Sequence, residues 1–94
     1  MCGMPTVSIR VTGHVQGVGF RAFVADLAGH LEVGGEVWNT RDGAVELWAS
    51  HSNREVLDDL ERRLHGGPGR VLAVQVMPGP ERPVEKYFRI GPTR

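Results

Sequence analysis

Gly13-His14-Val15-Gln16-Gly17-Val18-Gly19-Phe20-Arg21 stands between two stretches of different hydrophobic period, and that change of period decides the fold. Before it, Val7, Ile9 and Val11 alternate with Ser8, Arg10 and Thr12, the twofold pattern of a strand with one covered face. After it, Phe20, Phe23, Val24, Leu27, Ala28 and Leu31 fall at i, i+3, i+4, i+7, i+8 and i+11, one stripe of a helix. The stretch is therefore a strand-to-helix connection. Its glycines accept positive φ and let backbone come close to a ligand, so successive N–H groups can point at one centre. A helix starting at Phe20 aims its unpaired N–H groups and the positive end of its dipole at the same spot. Arg21 adds a planar fork of donors suited to two oxygens of a phosphate or carboxylate. On the residues alone two readings stay open: an oxyanion cradle, or a corner whose glycines only turn the chain and whose arginine is solvated.

Two nucleotide-binding motifs are excluded here. A Walker A loop needs Lys-Ser/Thr after its last glycine, where this chain has Phe20-Arg21. A dinucleotide fingerprint needs another glycine spacing and an acidic residue on a parallel crossover strand, whereas Glu36 and Asp42 belong to a hairpin.

Working outward, Gly34-Gly35 end the helical stripe and return the chain to a strand. Val37 and Asn39 share one parity of it, so if Val37 faces the helices Asn39 does too, on the side of the cradle. The following strand alternates Val45, Leu47 and Ala49 with Ala44, Glu46 and Trp48, and matching Val37 to Leu47 demands an odd-numbered loop with Gly43 in a bulge position. This parity puts Trp38 and Trp48 exposed on the open face of the sheet. Ser52-Asn53-Arg54-Glu55 reads as a capping box, followed by the helical stripe Val56, Leu57, Leu60 and Leu64 and the stop Gly66-Gly67-Pro68. Val71 to Met77 reads as a well-covered strand, Pro78 to Pro83 as a loop, and Glu85 to Ile90 as a last strand carrying Phe88 and Ile90 inward. The expected fold class is α+β: a split βαββαβ arrangement plus a C-terminal edge strand, an antiparallel sheet with two helices on one face.

The 94 residues are expected to form one domain, with residues 1–6 as a tail. Eleven basic and eleven acidic residues cancel, so anion recognition must be local, and no whole-molecule field favours nucleic acid or an anionic membrane. The single cysteine, Cys2, reads as a free thiol in the tail, consistent with a reducing compartment. Neither a signal-peptide pattern nor an apolar run of membrane-spanning length is visible, so the expected location is the cytoplasm. His14, His30, His51 and His65 lack metal-ligand spacing, and only His14 is near the loop; Arg41 reads as a solvated turn residue.

Val15-Gln16-Gly17-Val18-Gly19-Phe20-Arg21 resembles the signature of the acylphosphatase family. A second block, Gly35-Glu36-Val37-Trp38-Asn39 followed by Asp42-Gly43, stands where that family has one, and with the Phe88-x-Ile90 ending the resemblance spans essentially the whole chain. It implies a ferredoxin-like α/β sandwich and hydrolysis of acyl phosphates to carboxylate and inorganic phosphate, without metal or cofactor. It further implies that the backbone N–H groups of Val15, Gln16, Gly17, Val18, Gly19 and Phe20 hold the phosphoryl oxygens, that Arg21 binds substrate and that Asn39 orients the attacking water. The expected partner is a small acyl phosphate, and the expected state a monomer that binds neither nucleic acid nor membrane.

The chain departs from the family pattern at Glu36 and Trp38, where tryptophan and arginine are common, and at Glu32, where a glycine often ends the first helix. An alternative is the N-terminal acylphosphatase-like domain of a hydrogenase-maturation carbamoyltransferase, acting on carbamoyl phosphate; there the residue after the arginine is typically proline, against Ala22 here. An RNA-recognition role needs stacking rings on the central strands, and Ser8, Arg10 and Thr12 supply none.

Overall fold

The computed structural model describes residues 6–94; the expectations placed on Cys2 and on residues 1–5 of the tail lie outside them. Thr6 is not tail. It opens strand β1 (Thr6–His14), donating from Oγ1 to the Pro80 carbonyl at 2.6 Å and accepting the Gly79 N–H at 3.1 Å.

Helix α1 (Phe20–Leu31), strands β2 (Gly34–Asn39) and β3 (Val45–Ser50), helix α2 (Arg54–Leu64) and strands β4 (Arg70–Pro78) and β5 (Phe88–Ile90) follow in that order. They build one sheet of order β4-β1-β3-β2-β5. Period-2 burial along β1 is as the sequence predicts: Val7, Ile9 and Val11 join Phe20, Val24 and Ala28 of α1 and Leu57, Leu60 and Leu64 of α2 in the core. Each such side chain contributes about 1.5–3 kcal/mol by leaving water. Both helices cover this one face.

The hairpin register also follows parity. Val37 pairs with Leu47 and Asn39 with Val45, leaving residues 40–44 as the loop. There Gly43, at φ +97°, donates to the Thr40 carbonyl at 3.3 Å.

Five expectations need correction. The sheet is mixed rather than antiparallel, because β5 pairs parallel with β2. Since β4 and β2 run in opposite directions, a chain that leaves the end of β4 and crosses the sheet at that end re-enters beside β2 pointing the same way. Strand β4 is an edge, not a covered strand: Val71, Val74 and Val76 pack on the core while Leu72 is 73% exposed. Its apolar run therefore faces two different surroundings. Helix α2 is capped by Asn53, one residue beyond the expected Ser52, with Asn53 Oδ1 accepting the Glu55 N–H at 2.9 Å. Trp48 is buried beneath the Arg82 guanidinium, 4.3 Å from its ring centroid, and Trp38 lies half-buried under Arg94 at 4.0 Å. The crossing loop and the C-terminal residues thus shield the open face. Finally, Phe88 packs on the core as expected, but Ile90 is 49% exposed and stands at the mouth of the pocket described next.

Candidate active site

Strand β1 delivers the chain to the loop through a register shift between Thr12 and Gly13. The loop then turns on Gly17 (φ +75°) and Gly19 (φ +83°). A Cβ at either glycine would meet no heavy atom within 4 Å, so it is the backbone angle that demands glycine, while the open side leaves room for a ligand. Gly19 is also the N-cap of α1, and the Phe23 N–H makes the first helical bond, to the Gly19 carbonyl at 3.0 Å. The N–H groups of the preceding turn have no helical partner. With no acidic residue in that turn to neutralise them, they remain available to an anion.

A cavity of about 210 Å³ opens at this point. Its walls bring together Val15, Gly17, Gly19, Phe20 and Arg21 of the predicted set with Asn39 from the end of β2. Gln16 and Val18 do not line it. Instead Gln16 Nε2 donates to the carbonyls of Thr40 (2.7 Å) and Ala44 (2.8 Å), tying the loop to the β2–β3 hairpin, and Val18 packs on the core. These bonds brace the two motifs against each other.

Arg21 is half-buried, and its Nη1 donates to the Gly91 carbonyl at 3.2 Å. Asn39 Oδ1 is buried and has no hydrogen-bond partner among the described residues. A buried amide oxygen without a donor is costly, on the order of 1–3 kcal/mol, and such groups concentrate where a ligand or reactant water completes the bonding.

Behind the hairpin, on the open face, Arg10 bonds Asp42 at 2.5 Å and Glu46 at 2.8 Å, and the Thr40 hydroxyl donates to Asp42. The Thr40 hydroxyl, and next to it Arg10, hold the Asp42 carboxyl below its ordinary range, while Glu46 and Asp42 raise the Arg10 guanidinium. This network fixes the turn that follows Asn39. His14 is exposed and lies off the cavity, and Arg41 faces the groove on the open side with Trp38 and Arg94, consistent with its reading as a turn residue. Among the described residues no three His, Cys, Asp or Glu side chains gather in a metal-binding group.

The sequence reading missed Ala22 and Ile90 as cavity walls and the Gly91 carbonyl as the anchor of Arg21. Ala22 adjoins the motif and was within reach of it. The others arrive from the far end of the chain, and no local pattern announces them.

A family profile described as Acylphosphatase matches residues 7–90. The chain belongs to the acylphosphatase family. It is 39% identical over 89 residues to acylphosphatase 2 of Ralstonia nicotianae, covering 93% of each chain. The solved structure of an acylphosphatase from Coxiella burnetii superposes with a TM-score of 0.86 at 31% identity, over 95% of this chain and 94% of that one. Full-length HypF, solved in its phosphate- and nucleotide-bound form, superposes with a TM-score of 0.78 at 27% identity over 96% of this chain but only 12% of that one. As an acylphosphatase the protein is a hydrolase acting on acid anhydrides, and its sandwich is the ferredoxin-like arrangement of the family. Among the described residues no helix is long and apolar enough to cross a membrane.

Proposed function

We propose that the cavity between the Val15–Phe20 loop, Arg21 and Asn39 hydrolyses small acyl phosphates by direct attack of water on phosphorus. The observation that carries this is the buried Oδ1 of Asn39, which has no hydrogen-bond partner among the described residues and shares a cavity with Arg21 and the first turn of α1. Backbone N–H groups of the Val15–Phe20 loop that face the cavity and the Arg21 guanidinium take the three phosphoryl oxygens and stabilise the charge that spreads over them. The Asn39 amide oxygen accepts a hydrogen bond from the water and holds it in line with the phosphorus–oxygen bond to the acyl group. That bond breaks, the carboxylate leaves with its electron pair, and the water becomes the fourth oxygen of inorganic phosphate, its protons remaining on the phosphate. A carboxylate is a good leaving group, so positioning and charge stabilisation suffice. Neither a protein nucleophile nor a metal is needed.

The protein is read here as a single domain acting as a monomer in the cytoplasm, with no nucleic-acid or membrane partner. Its zero formal net charge supports the last point. Purified protein is expected to hydrolyse benzoyl phosphate in the presence of chelator, with inorganic phosphate as a competitive inhibitor. Activity that disappears in chelator and returns with a divalent ion would sink the metal-free site. Turnover of carbamoyl phosphate in preference to benzoyl phosphate would favour the carbamoyltransferase-like alternative.

A further inference from the structure

Beyond β5 the chain continues alongside β2. The Gly91 N–H donates to the Val37 carbonyl at 2.7 Å, the Arg94 N–H to the Asn39 carbonyl at 2.9 Å, and the Arg94 carbonyl accepts the Arg41 N–H at 3.0 Å. Gly91 itself is buried, and its carbonyl is the one that holds Arg21. Residues 91–94 therefore touch both Arg21, through a side-chain bond, and Asn39, through its backbone.

What holds this strap down is on the opposite face of the sheet. The Arg94 side chain turns over the sheet edge, stacks 4.0 Å from the Trp38 ring centroid and gives Nη2 to Glu36 Oε2 at 2.7 Å. The Glu36 side chain is only 14% exposed, and Arg89 stands 3.7 Å from its other oxygen. An exposed ion pair alone is a weak fastening. A planar guanidinium that stacks on indole while pairing with a mostly buried carboxylate fixes its own orientation and excludes most alternatives.

We propose that Arg94, clasped by Trp38 and Glu36, is a positioning residue for the reaction: it keeps residues 91–94 paired to β2, and through them sets Arg21 and Asn39 relative to the phosphate cradle. The inference rests on the function proposed above. Opening the clasp lets the Gly91 carbonyl drift from Arg21 and loosens the backbone at Asn39. Displacement of about 1 Å at reacting groups is enough to cost on the order of 10²-fold in rate.

The test compares the full chain with Arg94→Ala and Arg94→Lys, using benzoyl phosphate as substrate, inorganic phosphate as inhibitor, and amide hydrogen exchange at Gly91. Arg89 remains beside Glu36 in both variants, so neither leaves that carboxylate without a cation. In Arg94→Ala, Gly91 exchange should accelerate and kcat/KM should fall about 10- to 100-fold, with kcat lowered and both KM and the phosphate inhibition constant raised. Arg94→Lys keeps the charge but not the planar stack and should fall between the two. A merely structural arginine would lower the thermal midpoint yet leave kcat, KM and phosphate inhibition unchanged in the folded variant, and that result would overturn the proposal. Unchanged Gly91 exchange in Arg94→Ala would overturn it as well. A wild-type chain that does not hydrolyse benzoyl phosphate would instead remove the functional reading, whereas an active wild type with a fully active Arg94→Ala removes the clasp alone.

Discussion

Arg21 and Asn39 share a cavity, and in the proposed mechanism they hold different atoms of the reaction, so their loss should read differently. Asn39→Ala removes an interaction made mainly in the transition state: kcat should drop by at least about 10²-fold with little change in phosphate inhibition. Arg21→Ala should weaken phosphate inhibition and substrate binding together. Measuring both constants and the thermal midpoint on one preparation separates the two, and an Asn39→Ala protein that keeps its kcat would move the water-orienting role elsewhere. Glu32 offers a test of backbone strain away from the site. It ends α1 at φ 58° and ψ 40°, where an L side chain costs about 1–2 kcal/mol. Glycine is free there but loses more entropy on folding, about 0.4–1 kcal/mol. Glu32→Gly should therefore gain about 0.5–1 kcal/mol in denaturant unfolding, and a loss of stability would show that the glutamate has a role its backbone angle conceals.

Among the elements, the β2–β3 hairpin carries the clearest pH signature. Asp42 has a carboxyl depressed below its ordinary 3.8 by the Thr40 hydroxyl and by Arg10. A depressed folded value means the group stabilises the fold at neutral pH, fully above 3.8, and that this contribution is lost as pH falls through the lower folded value. Between about pH 5 and pH 2 the wild-type thermal midpoint should fall more steeply than that of Asp42→Asn; parallel curves would mean the network is idle. The hairpin and the first βα unit were legible because their signals are local. Val7, Ile9 and Val11 state one period, Phe20 to Leu31 another, and the parity of Val37 and Asn39 carries the amide to the cradle's side without knowledge of any neighbour. The edge position of β4 was not legible. Leu72 and Met77 read as core residues in any pattern, and only the strand order reveals that they stand exposed on an edge strand. Likewise Ser52 and Asn53 are both good caps, and choosing between them requires the entry angle of the chain.

Across the whole molecule, Val15 and Phe20 join the core to the site, while the packing beneath α2 lies away from it. Leu60 is fully buried in α2 and does not line the cavity. Leu60→Ala should cost about 2–5 kcal/mol of stability while leaving kcat per folded molecule unchanged. A matching fall in kcat at low temperature, where the variant is still folded, would show that the site depends on the packing beneath α2. Apart from Ala22, what escaped the sequence reading at the cavity, Ile90 and the Gly91 carbonyl, comes from the C-terminal end, and the reason is topological. Residues 79–87 carry the chain along one end of the sheet, bonding Thr6, Ser50 and Gly35 in turn, before β5 settles beside β2. Trp38 and Trp48 predict an open face only if that crossing is ignored.

The bond from Arg21 to Gly91 spans 70 residues. A chain made at about 5–20 residues per second incorporates Arg21 roughly 4–14 s before the carbonyl that anchors it exists. During folding in free solution the same contact is among the costliest to close, since closure entropy rises with the logarithm of the loop. The site therefore acquires its final geometry only when the last strand lands beside β2.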